Sequence, residues 1–163
     1  MEVLFPIFSN PRKGLSRSGD EMGFLSALTG GGATVQMNLQ KNRFQSGESV
    51  FAWVNVTAND NLNAEGVVLH LFCVEHTQGS HCQRCNMNTA DQNDTTYNNE
   101  VMVAGPQQMF RGEVRQFQGS IVIPQGVPST YMGRHATNLW YLEARLKMFG
   151  NDPDCKMEIQ VFG

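Results

Sequence analysis

Residues 138–149 read NLWYLEARLKMF. Trp140, Leu142, Ala144, Leu146 and Met148 take every second position, with Glu143, Arg145 and Lys147 between them. In an extended chain, successive side chains point to opposite faces, so this stretch reads as a strand with one apolar and one charged face. A helix, repeating about every 3.6 residues, would scatter the same apolar groups around its circumference.

The same period of two recurs on either side. Upstream, Ala33, Val35, Met37 and Leu39 alternate with Thr34, Gln36, Asn38 and Gln40, and a turn at Gln45-Ser46-Gly47-Glu48 leads to Val50, Ala52, Val54 and Val56. Downstream, the turn Gly150-Asn151-Asp152-Pro153 precedes Cys155, Met157, Ile159 and Val161, which alternate with Lys156, Glu158 and Gln160. The run VVLHLFCVEH, residues 67–76, is apolar or aromatic almost throughout, as in a central strand covered on both faces. Shorter strands are expected over 100–104 and 113–123, the second closed by Pro124, which has no N–H for a ladder. Between the 67–76 run and the first of these, TQGSHCQRCNMNTADQNDTTYN, residues 77–98, is polar and aperiodic and is expected to be a long loop. About seven strands, turns between them and no long helix predict an all-β chain, an antiparallel β-sandwich over residues 33–163.

Residues 1–32 differ. The apolar patch Val3–Phe8 is broken by Pro6, and residues 23–28, GFLSAL, predict about one and a half helical turns with Phe24, Leu25 and Leu28 on one face. Gly30-Gly31-Gly32 is expected to be a flexible hinge. This part is read as an N-terminal arm, either an unordered leader or a segment that docks on a neighbouring subunit.

The bulk numbers exclude several functions. At 163 residues the chain is one domain in size, and 40% hydrophobic with 17% charged residues describes a globular protein. A net charge of −3, a pI near 5.8 and no Lys/Arg-rich run argue against a nucleic-acid binder. No stretch approaches the ~20 apolar residues of a membrane span. The opening residues lack the basic start and longer apolar run of a secretory signal, so a cytoplasmic protein is expected, with its four cysteines reduced.

One local pattern points to metal chemistry. Cys73, His76, His81, Cys82 and Cys85 cluster in sequence, and Cys82-x2-Cys85 has the spacing with which one tight turn supplies two thiolates to zinc. His76 and His81 are the further ligands in the set Cys82, Cys85, His76 and His81, with Cys73 or Cys155 as substitutes. Against it, Cys73 shares a strand face with Leu69 and Leu71, and Cys155 with Met157 and Ile159, where a thiol behaves as a small apolar group. A Cys82–Cys85 redox pair lacks the usual strand-to-helix setting. Asp91, Asn93 and Asp94 miss the central Gly and closing Glu of a calcium loop. Gly30-Gly31-Gly32 lacks the Gly-Lys-Ser/Thr of a phosphate cradle. His70 and His135 have no Ser or Asp at a recognisable spacing. No catalytic residue is expected, and no cofactor beyond the zinc just described.

Several of these stretches resemble a known clan. Met22-Gly-Phe-Leu with its Gly-Gly-Gly segment, NRFQSGESVFAWVNVTA, LNAEGVVLHLFCVEHT and the closing VPSTYMGRHATNLWYLEARLKMFGNDPDCKMEIQV are similar to the strand and turn elements of arrestin-clan proteins. Within the clan, bacterial sporulation-control proteins with an arrestin-like domain are the most similar. The resemblance covers about residues 22–162. It implies an arrestin-like sandwich that binds proteins and performs no catalysis. Full arrestins use two such sandwiches, and this chain has room for one.

A protein-interaction scaffold or regulatory adaptor is therefore expected, with protein partners or self-association through the N-terminal arm or the sheet edges. The alternatives are a structural subunit of a larger assembly, such as a filament, shell or appendage, and a zinc-stabilised binding module.

Overall fold

The computed structural model describes residues 24–163; of these, the side chains of 24–30 and of Cys82 lie outside the description. The expectations for residues 1–23, the Val3–Phe8 patch included, therefore fall outside the described residues. No helix occurs among the described residues.

Two sheets form the sandwich. One joins β1 (Phe24–Gly30), β2 (Ala33–Leu39), β4 (Ser49–Ala58) and β10 (Val114–Val122) in the order β1-β2-β4-β10. The other runs β3-β13-β12-β5-β8, built from β3 (Arg43–Gln45), β13 (Asp154–Phe162), β12 (Ala136–Met148), β5 (Leu62–Thr77) and β8 (Gln92–Ala104). On this second sheet β9 (Gln107–Met109) adds to β5 and β11 (Tyr131–Met132) adds to β12, while β6 (His81–Cys82) and β7 (Met87–Asn88) pair as a separate small hairpin. Every pairing is antiparallel except that of β13 with β3.

Alternation decides which residues fill the space between the sheets. Val35, Met37 and Leu39 of β2, Val50, Ala52, Val54 and Val56 of β4, Leu142, Ala144 and Leu146 of β12, and Ile159 and Val161 of β13 are buried, and their polar neighbours face outward. Trp140 is fully buried, and its ring N–H donates to the Pro128 carbonyl at 2.9 Å, so its one polar atom is satisfied. Cys73 and Cys155 lie in the same core, as the register of their strands predicts.

The chain passes between the sheets at the turn after β3. Gly47 there has φ +87°, a conformation only glycine adopts without strain. Its N–H donates to Ile123 O (2.9 Å), while Ser46 N–H reaches Phe162 O (2.7 Å) and Ser46 Oγ reaches Pro124 O (2.9 Å). A single turn thus stitches the ends of β10 and β13 together.

Four expectations need correction. Residues 24–28 are not helical: they belong to β1, which pairs with β2 from Phe24↔Leu39 to Gly30↔Ala33. A short segment with no strong period takes the structure its neighbour offers, and here that is an adjacent strand. The glycine segment is the tight turn of that hairpin, with Gly31 at φ +52°, and not a hinge between an arm and the domain. The polar stretch 77–98 is only partly loop, because β8 begins at Gln92 and β6–β7 occupies part of the remainder. Finally, β5 is buried on both faces only over residues 66–69; beyond that His70, Phe72 and Val74 are partly exposed on the outer face.

Candidate interaction surface

The residues singled out for zinc do not converge. His76, near the end of β5, places Nδ1 2.8 Å from Asn93 Oδ1 across the β5–β8 ladder. His81, on β6, meets Asn88 across the small hairpin, and Cys85 is an exposed free thiol at its tip. The side chain of Cys82 lies outside the described residues. Cys73 is buried and directs its thiol at Asn138 Oδ1 (3.0 Å). Burial pushes the Cys73 thiol up, against hydrogen bonds with Thr96 and Asn138 that pull it down. Among the described residues, no three His, Cys, Asp or Glu side chains gather into a metal-sized group. In the same region Asp91 Oδ1 caps the Gly79 N–H at 2.7 Å, the role of a turn residue.

The two outer faces of the sandwich have opposite chemistry. On the seven-stranded sheet, β8, β5, β12 and β13 bring Glu100, His70, Glu143 and Lys156 into one cross-strand row, with Met102, Val68, Arg145 and Asp154 in the next. Glu143 Oε2 receives Arg145 Nη2 at 2.7 Å and lies 2.9 Å from His70 Nδ1, while His70 Nε2 is 2.6 Å from Asn98 Oδ1. Lys147 bonds Glu100. Burial raises the Glu143 pKa, yet the hydrogen bonds from His70 and Arg145 and the guanidinium charge outweigh it, and the carboxyl sits below its ordinary range. Asp154 moves the other way: burial, then its hydrogen bond with Glu143 and the Glu143 charge, raise it against Arg145 and Lys156. Beside these charges, His70, Phe72 and Tyr141 stack in a line with centroids 4.7 and 5.3 Å apart, and Lys156 Nζ lies 5.2 Å from the Tyr141 ring.

These groups already satisfy one another. The network explains how a charged sheet face is held; among the described residues it leaves no convergent, unpaired acid, base or nucleophile around a cleft. Sequence reasoning left His70 without a partner because Glu143 lies 73 positions away. Only the β5–β12 register brings the two side by side.

The four-stranded sheet is the reverse. Its four strands, FLSALTG, ATVQMNL, SVFAWVNVTA and VRQFQGSIV, contain one ionisable residue, Arg115. Arg115 shares its register row with buried Val56 and is tied on the inner side to Glu113 and Gln107, each at 2.7 Å. The outer face of β2, β4 and β10 is therefore wholly uncharged. Thr34, Gln36 and Asn38 stand beside Thr57, Asn55 and Trp53 respectively, and these beside Val114, Gln116 and Gln118. Phe51, Val114 and Val122 are about half exposed on it. Beyond Phe51 the face ends in a shallow depression of about 350 Å³ lined by Gln40, Lys41, Phe44, Glu48, Ser49 and Phe51.

This sheet also ends in an open edge. β10 pairs with β4 on one side, and no strand among the described residues pairs with its other side. Proteins commonly blunt such edges with Lys, Pro or inward-pointing charge. β10 has no Lys and no Pro; its one charge, Arg115, points inward but is paired with Glu113 within the chain.

Comparison with known proteins agrees with this architecture. The family model described as SpoOM protein, Spo0M, matches residues 22–154. The crystal structure of Spo0M, sporulation control protein, from Bacillus subtilis superposes with a TM-score of 0.61 at 20% identity, over 82% of this chain and 50% of that one. The likeness at that identity is one of fold, and the chain spans about half the length of that protein. No functionally curated protein matches the chain. With two sheets in a sandwich and a family match running from before β1 to the start of β13, the chain belongs to the Spo0M sporulation-control family.

Proposed function

We propose that the chain is a non-enzymatic protein-interaction scaffold, a regulatory adaptor of the arrestin-like type, whose working surface is the outer face of β2, β4 and β10. One observation carries this reading: in a chain with 27 charged residues, these three strands place none on that face, which instead presents amides, hydroxyls, Trp53 and half-exposed Phe51, Val114 and Val122. Interface cores are depleted of charge and enriched in aromatic residues, because each charge brought into a contact must be stripped of water. The absence of an assembled cleft of ionisable groups among the described residues and the arrestin-like fold support binding over catalysis.

The test is site-specific photo-crosslinking in the organism of origin. A photoreactive residue at Asn55, in the centre of the uncharged face, should give discrete adducts, while one at Glu158, on the charged face, should give few. Phe51→Lys should abolish the Asn55 adducts and leave the fold intact, since Phe51 already faces solvent. Equal adducts from the two faces, or adducts indifferent to Phe51→Lys, would overturn the assignment.

A further inference from the structure

We propose that β10 is the place where a second copy of this chain adds, strand against antiparallel strand, with Gln118 of one copy opposite Gln118 of the other. The inference deepens the scaffold reading, since it assigns one partner to one margin of the same sheet.

β10 is nearly self-complementary about Gln118. An antiparallel pair centred there sets Val114 opposite Val122 and Gln116 opposite Ser120 on the outer face. On the inner face it sets Phe117 opposite Gly119 and Arg115 opposite Ile121. Valine meets valine at both ends, and the two arginines stay apart. The ring of Phe117 falls beside Gly119, where the side chain it would meet is Val103 of β8.

The inner side of this margin is also unfinished. Both sheets end here, β10 stacking over β8 closely enough that a Cβ on Gly119 would stand 2.5 Å from Val103 Cγ2. Phe117, Val101 and Val103 pack against the core yet are only partly buried. A strand laid along β10 would cover them and satisfy a row of backbone N–H and C=O groups. Charge does not stand in the way: each copy carries a net −3, but in this register β10 sets no like charge opposite another. Pairing would join the two uncharged faces into one continuous surface.

Sedimentation velocity on the full chain, from micromolar to hundreds of micromolar, tests this. A monomer–dimer equilibrium with Kd on the order of 10 μM is expected for so narrow a contact. Gln118→Lys places two lysines directly opposite each other, their Cβ atoms about 5 Å apart, and should weaken the dimer about fivefold or more. Gln118→Glu should do the same, and an equimolar mixture of the two variants should associate at least as tightly as the wild type. Gln160→Lys, which adds the same charge on β13 of the other sheet, should leave the dimer equilibrium unchanged. If the position-118 variants fail to fold, a mixture of Val114→Glu with Val122→Lys replaces them, with tightening expected in the mixture. A chain monomeric at all concentrations, a dimer indifferent to Gln118→Lys, or a mixture that does not recover would each overturn the proposal. The scaffold reading would survive any of these, because it is decided at Asn55 and Phe51.

Discussion

Asn138 is the sole buried polar side chain among the described residues, and replacing it by alanine should cost about 1–2 kcal/mol. It holds the connection between β10 and β12 against the core. Its amide donates to Ser129 O at 2.9 Å and to Pro128 O at 3.3 Å, and its carbonyl accepts the Cys73 thiol at 3.0 Å. Pro128 O keeps the Trp140 ring N–H in the variant, and the thiol is a weak donor, so the loss is not the sum of three bonds. Ser129 is itself exposed, so water can reach its freed carbonyl, and the lost bond costs about 1 kcal/mol, with up to about 1 kcal/mol for the remaining contacts. The strap's other ties, Thr130 N–H to Val161 O at 2.7 Å and Val161 N–H to Thr130 Oγ1 at 2.8 Å, should keep the fold in place. Urea unfolding followed by tryptophan fluorescence measures the effect. With a slope of about 2 kcal/mol per molar for a chain of this size, the midpoint should fall by about 0.5–1 M at unchanged slope. A midpoint within about 0.3 M of wild type would refute the assignment of Asn138 as the buried tie, as would a shift produced by a changed slope.

Two further perturbations test the packing and the charged face. Gly119→Ala should destabilise by about 1–3 kcal/mol, because the new methyl meets Val103 Cγ2 at 2.5 Å and Leu69 Cδ1 at 3.2 Å. Val103→Ala in the same chain should recover part of that loss in a double-mutant cycle, whereas additive costs would show that the two strands do not touch as described. Asp154→Asn should stabilise the chain at pH 7 by at most about 1 kcal/mol on this partly solvated face. The sign follows from its raised folded pKa: folding tightens its proton, so stability falls as pH rises from the ordinary value of about 3.9 through the folded one, and the penalty persists above it. Asparagine removes that penalty, and the advantage should vanish below the ordinary value. A variant less stable than wild type at pH 7 would mean that Asp154's attraction to Arg145 and Lys156 outweighs its conflict with Glu143.

How much of this was legible depends on burial. β2, β4, β12 and β13 face the core on one side and solvent on the other, and their alternation named the strands and their buried residues from sequence. β8 was read only in part, over residues 100–104, because its first half, QNDTTYNN, lies at a sheet edge with nearly every side chain exposed. Without a buried face, no period of two is impressed on the residues. β1 was misread as helix because FLSALTG has no polar alternation to mark a strand. The zinc pattern was a matter of spacing alone, and the ladders instead give His76 to Asn93 and His81 to Asn88.

The amino-acid sequence determined that this is an all-β chain, which residues line its core, and where its glycine and proline turns fall, since each depends on contacts with water or with near neighbours. Only the tertiary structure decided which strands lie side by side. That choice gathers Glu143, His70, Arg145 and Glu100 on one face, leaves the outer face of β2, β4 and β10 without a charge, and puts β10 at an open margin. Strand order is set by packing among segments far apart in the chain, and no local pattern of side chains encodes it.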